Sequence, residues 1–130
     1  MLSCLTYVAC EDLNQADDCA TDIVCTQQFE IHTYTLLDSI DQPIILDNYY
    51  SQNLENGNIY DFDAELTDFL AANEYLIITD AQMNELKRSG TRIRFFGEKN
   101  GEIIVQEDFL VGHNCCHIEV FEGPNLDWIL

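Results

Sequence analysis

The sequence predicts a single antiparallel β-sandwich with a short helical insertion. Three observations lead to this fold class. Segments of alternating apolar and polar residues recur along the chain, turn signals separate them about every dozen residues, and helix signals are confined to the middle of the chain. With 130 residues, 47% of them apolar, the chain suffices for one domain with its own core.

Residue alternation and turn chemistry place the strands. The predicted strands are, in order, 29–37, 44–50, 75–79, 91–96, 103–111 and 115–121. Turns are predicted at 38–43, 55–58 and 98–102, from their Asp, Asn, Gly and Pro residues. In the first strand, Phe29 and Ile31 share one face, whereas His32 and Tyr34 lie on the other.

Two short helical segments are predicted between the strands. Asp63 is a candidate N-cap for the first, with Leu66, Phe69 and Leu70 along one side. Residues 81–86 are expected to form one or two turns of the second. The insertion is therefore small compared with the sheets.

The charge of the chain is strongly negative and unevenly distributed. It has 24 Asp and Glu residues against five Lys and Arg, a net charge of −19, and no basic residue between positions 1 and 86. The basic residues are Lys87, Arg88, Arg92, Arg94 and Lys99. Such a surface repels nucleic acid and anionic lipid headgroups. It serves solubility or attracts a cation or a basic partner.

The first eighteen residues predict export and attachment. Residues 1–9 are apolar, too short to span a bilayer, and match the end of a signal peptide. Val8-Ala9-Cys10 resembles a bacterial lipobox, which implies lipid attachment at Cys10. Residues 10–18 form an acidic tether, similar to the surface-export signal of Bacteroidota lipoproteins. The alternative is a disordered N-terminus, in which Cys4 and Cys10 could form a bridge.

Four further cysteines predict disulfides between the two ends of the domain, residues 19–130. They are Cys19, Cys25, Cys115 and Cys116. Adjacent residues of a strand face opposite ways. We therefore expect one member of the Cys115–Cys116 doublet to face inward and meet Cys25, and the other to face outward towards Cys19. Counting alone leaves the pairing open.

Metal binding is the alternative chemistry for the same region. His113, Cys115 and His117 would share one face of a strand, and imidazole and thiolate ligands suit zinc or copper. An oxidised Cys115 could not be a thiolate ligand, so the disulfide hypothesis is preferred. No other cofactor is expected.

Two charged groups are weaker candidates for binding. The carboxylates Asp61, Asp63, Glu65 and Asp68 could hold a hard cation, but they lack EF-hand spacing, so a solvated turn is preferred. Arg92 and Arg94 alternate along one strand face. They could clamp an anion, although pairing with neighbouring carboxylates on an outer face is preferred.

Aromatic residues suggest a third kind of site. Exposed rings could stack on sugars in a glycan-binding module, although core or rim packing is the simpler role for most. The residues in question are Tyr49, Tyr50, Tyr60, Tyr75 and Trp128. The sequence offers no arrangement of nucleophile, base and acid that predicts an active site.

Two segments resemble a family of small lipoproteins from Bacteroidota. Residues 43–49 (PIILDNY) are similar to a P-V-x-L-D-x-Y stretch, and Phe96-Gly97, residues 111–118 (VGHNCCHI) and Glu122-Gly123-Pro124 are similar to its Cys-Cys-His ending. Asn114 stands where that family usually has Asp. The resemblance implies an Ig-like or transthyretin-like, carboxypeptidase-regulatory β-sandwich.

These observations together predict a non-enzymatic protein of the cell envelope. We expect it to be exported, anchored by lipid on the outer membrane or cell surface, stabilised by disulfides, and to bind an unknown protein or glycan or to serve a structural role. Nucleic acid is not an expected partner.

Overall fold

The protein is an antiparallel β-sandwich, as the sequence predicts. The computed structural model describes residues 19–20, 22–62 and 64–124. The strands are β1 Ile31–Thr35, β2 Asn48–Asn53, β3 Ile59–Tyr60, β4 Glu74–Thr79, β5 Thr91–Lys99, β6 Glu102–His113 and β7 Ile118–Glu122. Helix α1, Ala64–Thr67, and a 3₁₀ helix, Asp80–Glu85, are the helical segments of the described ranges.

The strands form two sheets. Five strands make the large sheet in the order β3-β2-β5-β6-β7, and β1 pairs with β4 in a separate two-stranded sheet. The long β5–β6 hairpin is the centre of the large sheet. Its turn contains Asn100 and Gly101, both with positive φ, which suits a tight hairpin between right-twisted strands.

Aromatic packing joins the two sheets. Tyr34 on β1 contacts Phe95 and Phe109 edge-on, with ring centroids 5.8 and 5.6 Å apart. The buried face of β1 is therefore the one that carries His32 and Tyr34, while Phe29 lies before the strand and is exposed. Alternation predicts the two faces of this strand, and ring packing against β5 and β6 decides which one is buried.

The second strand begins later than predicted. The apolar run at 44–50 indicated a strand there, but β2 is Asn48–Asn53. Ile44 and Leu46 instead belong to a loop that packs on the core, where the Tyr75 hydroxyl accepts from the Leu46 amide at 2.8 Å and donates to the Ile44 carbonyl at 3.0 Å. A side-chain hydroxyl thus replaces a strand partner for this segment.

The remaining predictions mostly agree with the structure. Strands at 75–79, 91–96 and 103–111 correspond to β4, β5 and β6. The 3₁₀ helix has a capping box, in which the Thr79 hydroxyl accepts from the Ala81 amide and Gln82 accepts from the Thr79 amide. Asp63, the predicted cap of α1, lies outside the described residues, as do the segments 1–9 and 10–18.

Over the ranges that the structure describes, no helix combines the length and apolar character needed to cross a membrane.

Candidate functional site

Two disulfides connect the segment before β1 to the turn between β6 and β7. Cys19 pairs with Cys115 and Cys25 pairs with Cys116, with Cα–Cα distances of 5.6 and 5.3 Å. All four predicted cysteines are confirmed as disulfide partners. The bridges span 96 and 91 positions of the sequence, so they join the two ends of the domain.

The arrangement of these cysteines differs from the one expected for a strand. Cys115 is buried and pairs with Cys19, whereas the more exposed Cys116 pairs with Cys25, the reverse of the expected partners. The doublet lies in a turn rather than in the predicted strand 115–121. Cys115 has a φ of 75° there, so turn geometry, and not strand alternation, sets the two side-chain directions.

Asn114 builds this turn. Its side-chain oxygen accepts hydrogen bonds from the backbone amides of Cys116 and His117 at 3.0 and 2.8 Å. Its backbone N–H donates to the His117 carbonyl oxygen. This is the Asx-turn chemistry that favours Asn and Asp in tight turns. A carboxylate could accept the same two hydrogen bonds, so Asn and Asp are both compatible with this turn.

The structure groups the candidate metal ligands differently from the sequence. His113 ends β6, so His113, Cys115 and His117 do not share a strand face. The ligand atoms of His113 and Cys115 lie within 4.8 Å of one another and of Cys19, and His117 is not in that group. Because Cys19 and Cys115 are joined as a disulfide, their sulfurs are not thiolate ligands in this state.

His117 lies between a carboxylate and a hydroxyl. Its Nδ1 is 2.7 Å from Asp80 Oδ2, and its Nε2 is 2.9 Å from the Thr26 hydroxyl. An ionised carboxylate can only accept, so the Nδ1–H donates to Asp80, and Nε2 of a neutral ring accepts from Thr26. We call this row of Thr26, His117 and Asp80 the polar relay.

Asp80 is the centre of the relay. It also accepts from the backbone amides of Glu30 at 2.9 Å and Ile118 at 2.8 Å. Burial alone would raise the pKa of this carboxyl, but the hydrogen bonds from Glu30, His117 and Ile118 together hold the pKa below its ordinary value. Asp80 therefore stays ionised and ties three separate segments together.

The relay has the order of groups found in hydroxyl-activating triads. A carboxylate orients an imidazole, which can accept a proton from a hydroxyl group. Thr26 is exposed and follows Cys25 directly, so the same contacts also hold the disulfide-linked segment on the domain. The sequence does not predict this group, because its members come from three distant places and match no local motif.

An aromatic depression of about 570 Å³ lies at the β2–β3 side of the large sheet. Tyr50 contributes a half-buried ring there, stacked on Phe96 with centroids 5.0 Å apart and an interplanar angle of 27°. The depression is lined by Asn48, Tyr49, Tyr50, Ile59, Asp61 and Phe62. Its volume is in the range of small-molecule sites in proteins.

The predicted aromatic residues divide between this depression and the core. Tyr49 and Tyr50 line the depression. Tyr60 and Tyr75 are buried, and burial is the main cause that raises the pKa of Tyr60 to about 12. Trp128 lies outside the described residues. The Tyr49 ring packs against Tyr75 and Phe95, so Tyr50 is the candidate in the described part of the chain whose ring is placed for a ligand.

The arginines and carboxylates predicted as binding residues lie in different surroundings. Arg94 donates to both carboxylate oxygens of Asp108, at 2.7 and 3.0 Å, which is the preferred outer-face pairing. Arg92 is exposed on the same strand. Asp61 lines the depression and Asp68 is exposed, whereas Asp63 and the side chain of Glu65 lie outside the described residues.

The chain was compared with protein families, curated proteins and solved structures. No protein-family model, curated protein or solved structure matches the chain.

Proposed function

We propose that this protein is a disulfide-stabilised domain of the cell envelope, anchored by lipid at Cys10, with a non-enzymatic binding or structural role. The two disulfides are the observation that supports it. Disulfides persist in oxidising compartments outside the cytoplasm and are rare inside it. A binding role is further supported by the aromatic depression, which offers a ligand both apolar and polar contacts.

The anchor is the part of the proposal that places the domain at a membrane. Cys10 lies outside the described residues, so its support is the lipobox-like sequence and the acidic tether that follows. The disulfides fix the chain from Cys19 onward, so a tether of residues 10–18 would lead directly into a rigid junction. This arrangement suits a domain displayed on the outer membrane or cell surface.

Intact-mass spectrometry of the protein from its native host tests the oxidation state. The expected domain has Cys19, Cys25, Cys115 and Cys116 resistant to alkylation until a reductant is added. A protein whose four thiols react with the alkylating agent without reductant would overturn the proposal. Free thiols together with bound zinc or copper would instead support the metal-binding alternative.

Metabolic labelling with a fatty acid tests the anchor. The wild-type chain is expected to carry the label and to fractionate with membranes, and the Cys10→Ala variant to lose both. Cys4→Ala is the matched control, because it removes a cysteine from the same segment and should keep the label. Equal behaviour of Cys10→Ala and wild type would remove the anchor.

A glycan-binding module is the second candidate. The observation that favours it is the stacked Tyr50 ring at the edge of the depression. A glycan array tests it directly, with Tyr50→Leu as the variant expected to lose any signal. Signal that persists in that variant would place glycan recognition elsewhere.

A further inference from the structure

The aromatic depression has the chemistry of a cation site. Tyr50 lines it with a ring that stacks outside the core on Phe96. The rings of Tyr49 and Phe62, which also line it, pack against the core. One further lining residue, Asp61, is a carboxylate. The faces of aromatic rings carry negative electrostatic potential and attract cations within about 6 Å of the ring centroid. A carboxylate beside such rings adds a full negative charge.

One ring of the depression is held in place by its neighbours. Tyr50 faces Phe96 across the β2–β5 pair, and the two rings stack. Phe96 covers one face of the Tyr50 ring and so restricts its movement. Tyr50 also belongs to a strand, β2, and not to a loop. A ring that is already ordered loses little conformational freedom when it binds a ligand.

The surrounding charge favours a cation over an anion or a neutral ligand. Asn48 at the rim is the cross-strand partner of Glu98, which places a second carboxylate on that side of the sheet. Among the described residues that line the depression, none is Lys or Arg. The net charge of −19 attracts cations at long range, and Arg94, a basic residue of the neighbouring strand β5, is already paired with Asp108.

We propose that this depression binds an organic ammonium ion, with the Tyr50 ring against the alkylated nitrogen and Asp61 as the counter-charge. The inference rests on the proposed binding role and names its ligand class. A trimethylammonium group matches this site better than a hydrated metal ion, because alkyl groups gain from contact with Ile59 and the Tyr50 ring.

Choline and its uncharged isostere 3,3-dimethylbutan-1-ol make the decisive pair of ligands. The two have nearly the same shape and differ in the charge at the central atom. Calorimetric titration at constant ionic strength is expected to show choline binding about tenfold more tightly than the alcohol. Absence of choline binding, or equal affinity for both ligands, would overturn the inference.

Two variants locate the binding. Tyr50→Leu should weaken choline binding about tenfold, and Asp61→Asn should weaken it about fivefold. Asp41→Asn is the matched control, because Asp41 is exposed in another turn and its replacement changes the net charge by the same amount. Asn is also compatible with the positive φ of that position.

The control separates a specific site from a general attraction of cations to an acidic protein. Equal losses of affinity in Asp61→Asn and Asp41→Asn would show that the net charge attracts choline, and would overturn the site. Circular dichroism confirms that each variant is folded. Oxidation and lipid labelling do not involve this surface, so a chain that passes those tests and fails to bind choline refutes this inference alone.

Discussion

The two disulfides should stabilise the domain in a strongly non-additive way. Each bridge spans more than 90 positions when considered alone. Their partners are neighbours, however, since Cys115 and Cys116 are adjacent and Cys19 and Cys25 are close in sequence. Once either bridge is present, the other closes only a short ring.

The chain-entropy relation turns this geometry into magnitudes. Closing a loop of about 90 residues stabilises by roughly 4.6 kcal/mol, whereas closing a ring of about eight residues stabilises by roughly 2.5 kcal/mol. Removing either bridge should therefore cost about 2.5 kcal/mol, because the other still joins the two ends. Removing both should cost about 7 kcal/mol, more than twice the single loss.

Urea unfolding of three variants tests this cycle. The variants are Cys19→Ala/Cys115→Ala, Cys25→Ala/Cys116→Ala and the combination of all four changes. The reduced and alkylated wild-type protein is the control for the quadruple variant. Single losses near 4.6 kcal/mol that simply add in the quadruple variant would refute the reasoning, because they would mean that the bridges close independent loops.

Three further predictions concern the core and the relay. Burial lowers the pKa of His32 to about 4 from 6.5, so stability should be full above pH 6.5 and fall by up to about 3 kcal/mol towards pH 4; His32→Leu should flatten this slope in urea titrations at several pH values. Asp80→Asn should cost about 1–3 kcal/mol at neutral pH. Because the pKa of Asp80 is lowered in the fold, the difference between that variant and wild type should shrink as the pH falls below 3.8, and a constant difference would count against the relay. Gly97→Ala places a Cβ 2.6 Å from a Leu46 methyl carbon and should lower the free energy of unfolding by about 1–3 kcal/mol, but by less in a Leu46→Ala background; an equal cost in both backgrounds would exclude this clash as the cause.

The fold could be predicted where alternation and turn chemistry agree. The β5–β6 hairpin is the clearest case, since alternating residues flank a turn of Asn100 and Gly101. The apolar residues Ile44 and Leu46 predict a strand that begins before β2 does. They are apolar because the loop that contains them packs on the core. Hydrophobicity records burial, and burial does not distinguish a strand from a packed loop.

The functional residues were predictable to different degrees. Chemistry alone predicted the cysteines, but their pairing depends on the positive φ of Cys115, which no count of residues reveals. The polar relay required three-dimensional proximity between residues as far apart as Thr26 and His117. Tyr50 and Asp61 were candidates from their residue types for two different sites, and only the fold shows that both line one depression.

The position of the covalent junction also sets an orientation. Val111, just before the turn that holds Cys115, pairs with Thr91 at the start of β5, whereas Tyr50 pairs with Phe96 further along that strand. Thr91 and Phe96 are therefore about 17 Å apart along β5. If residues before Cys19 attach the domain to a membrane, the disulfide-linked end of the sandwich lies nearest that membrane. The aromatic depression then faces away from it, where diffusing molecules can reach it.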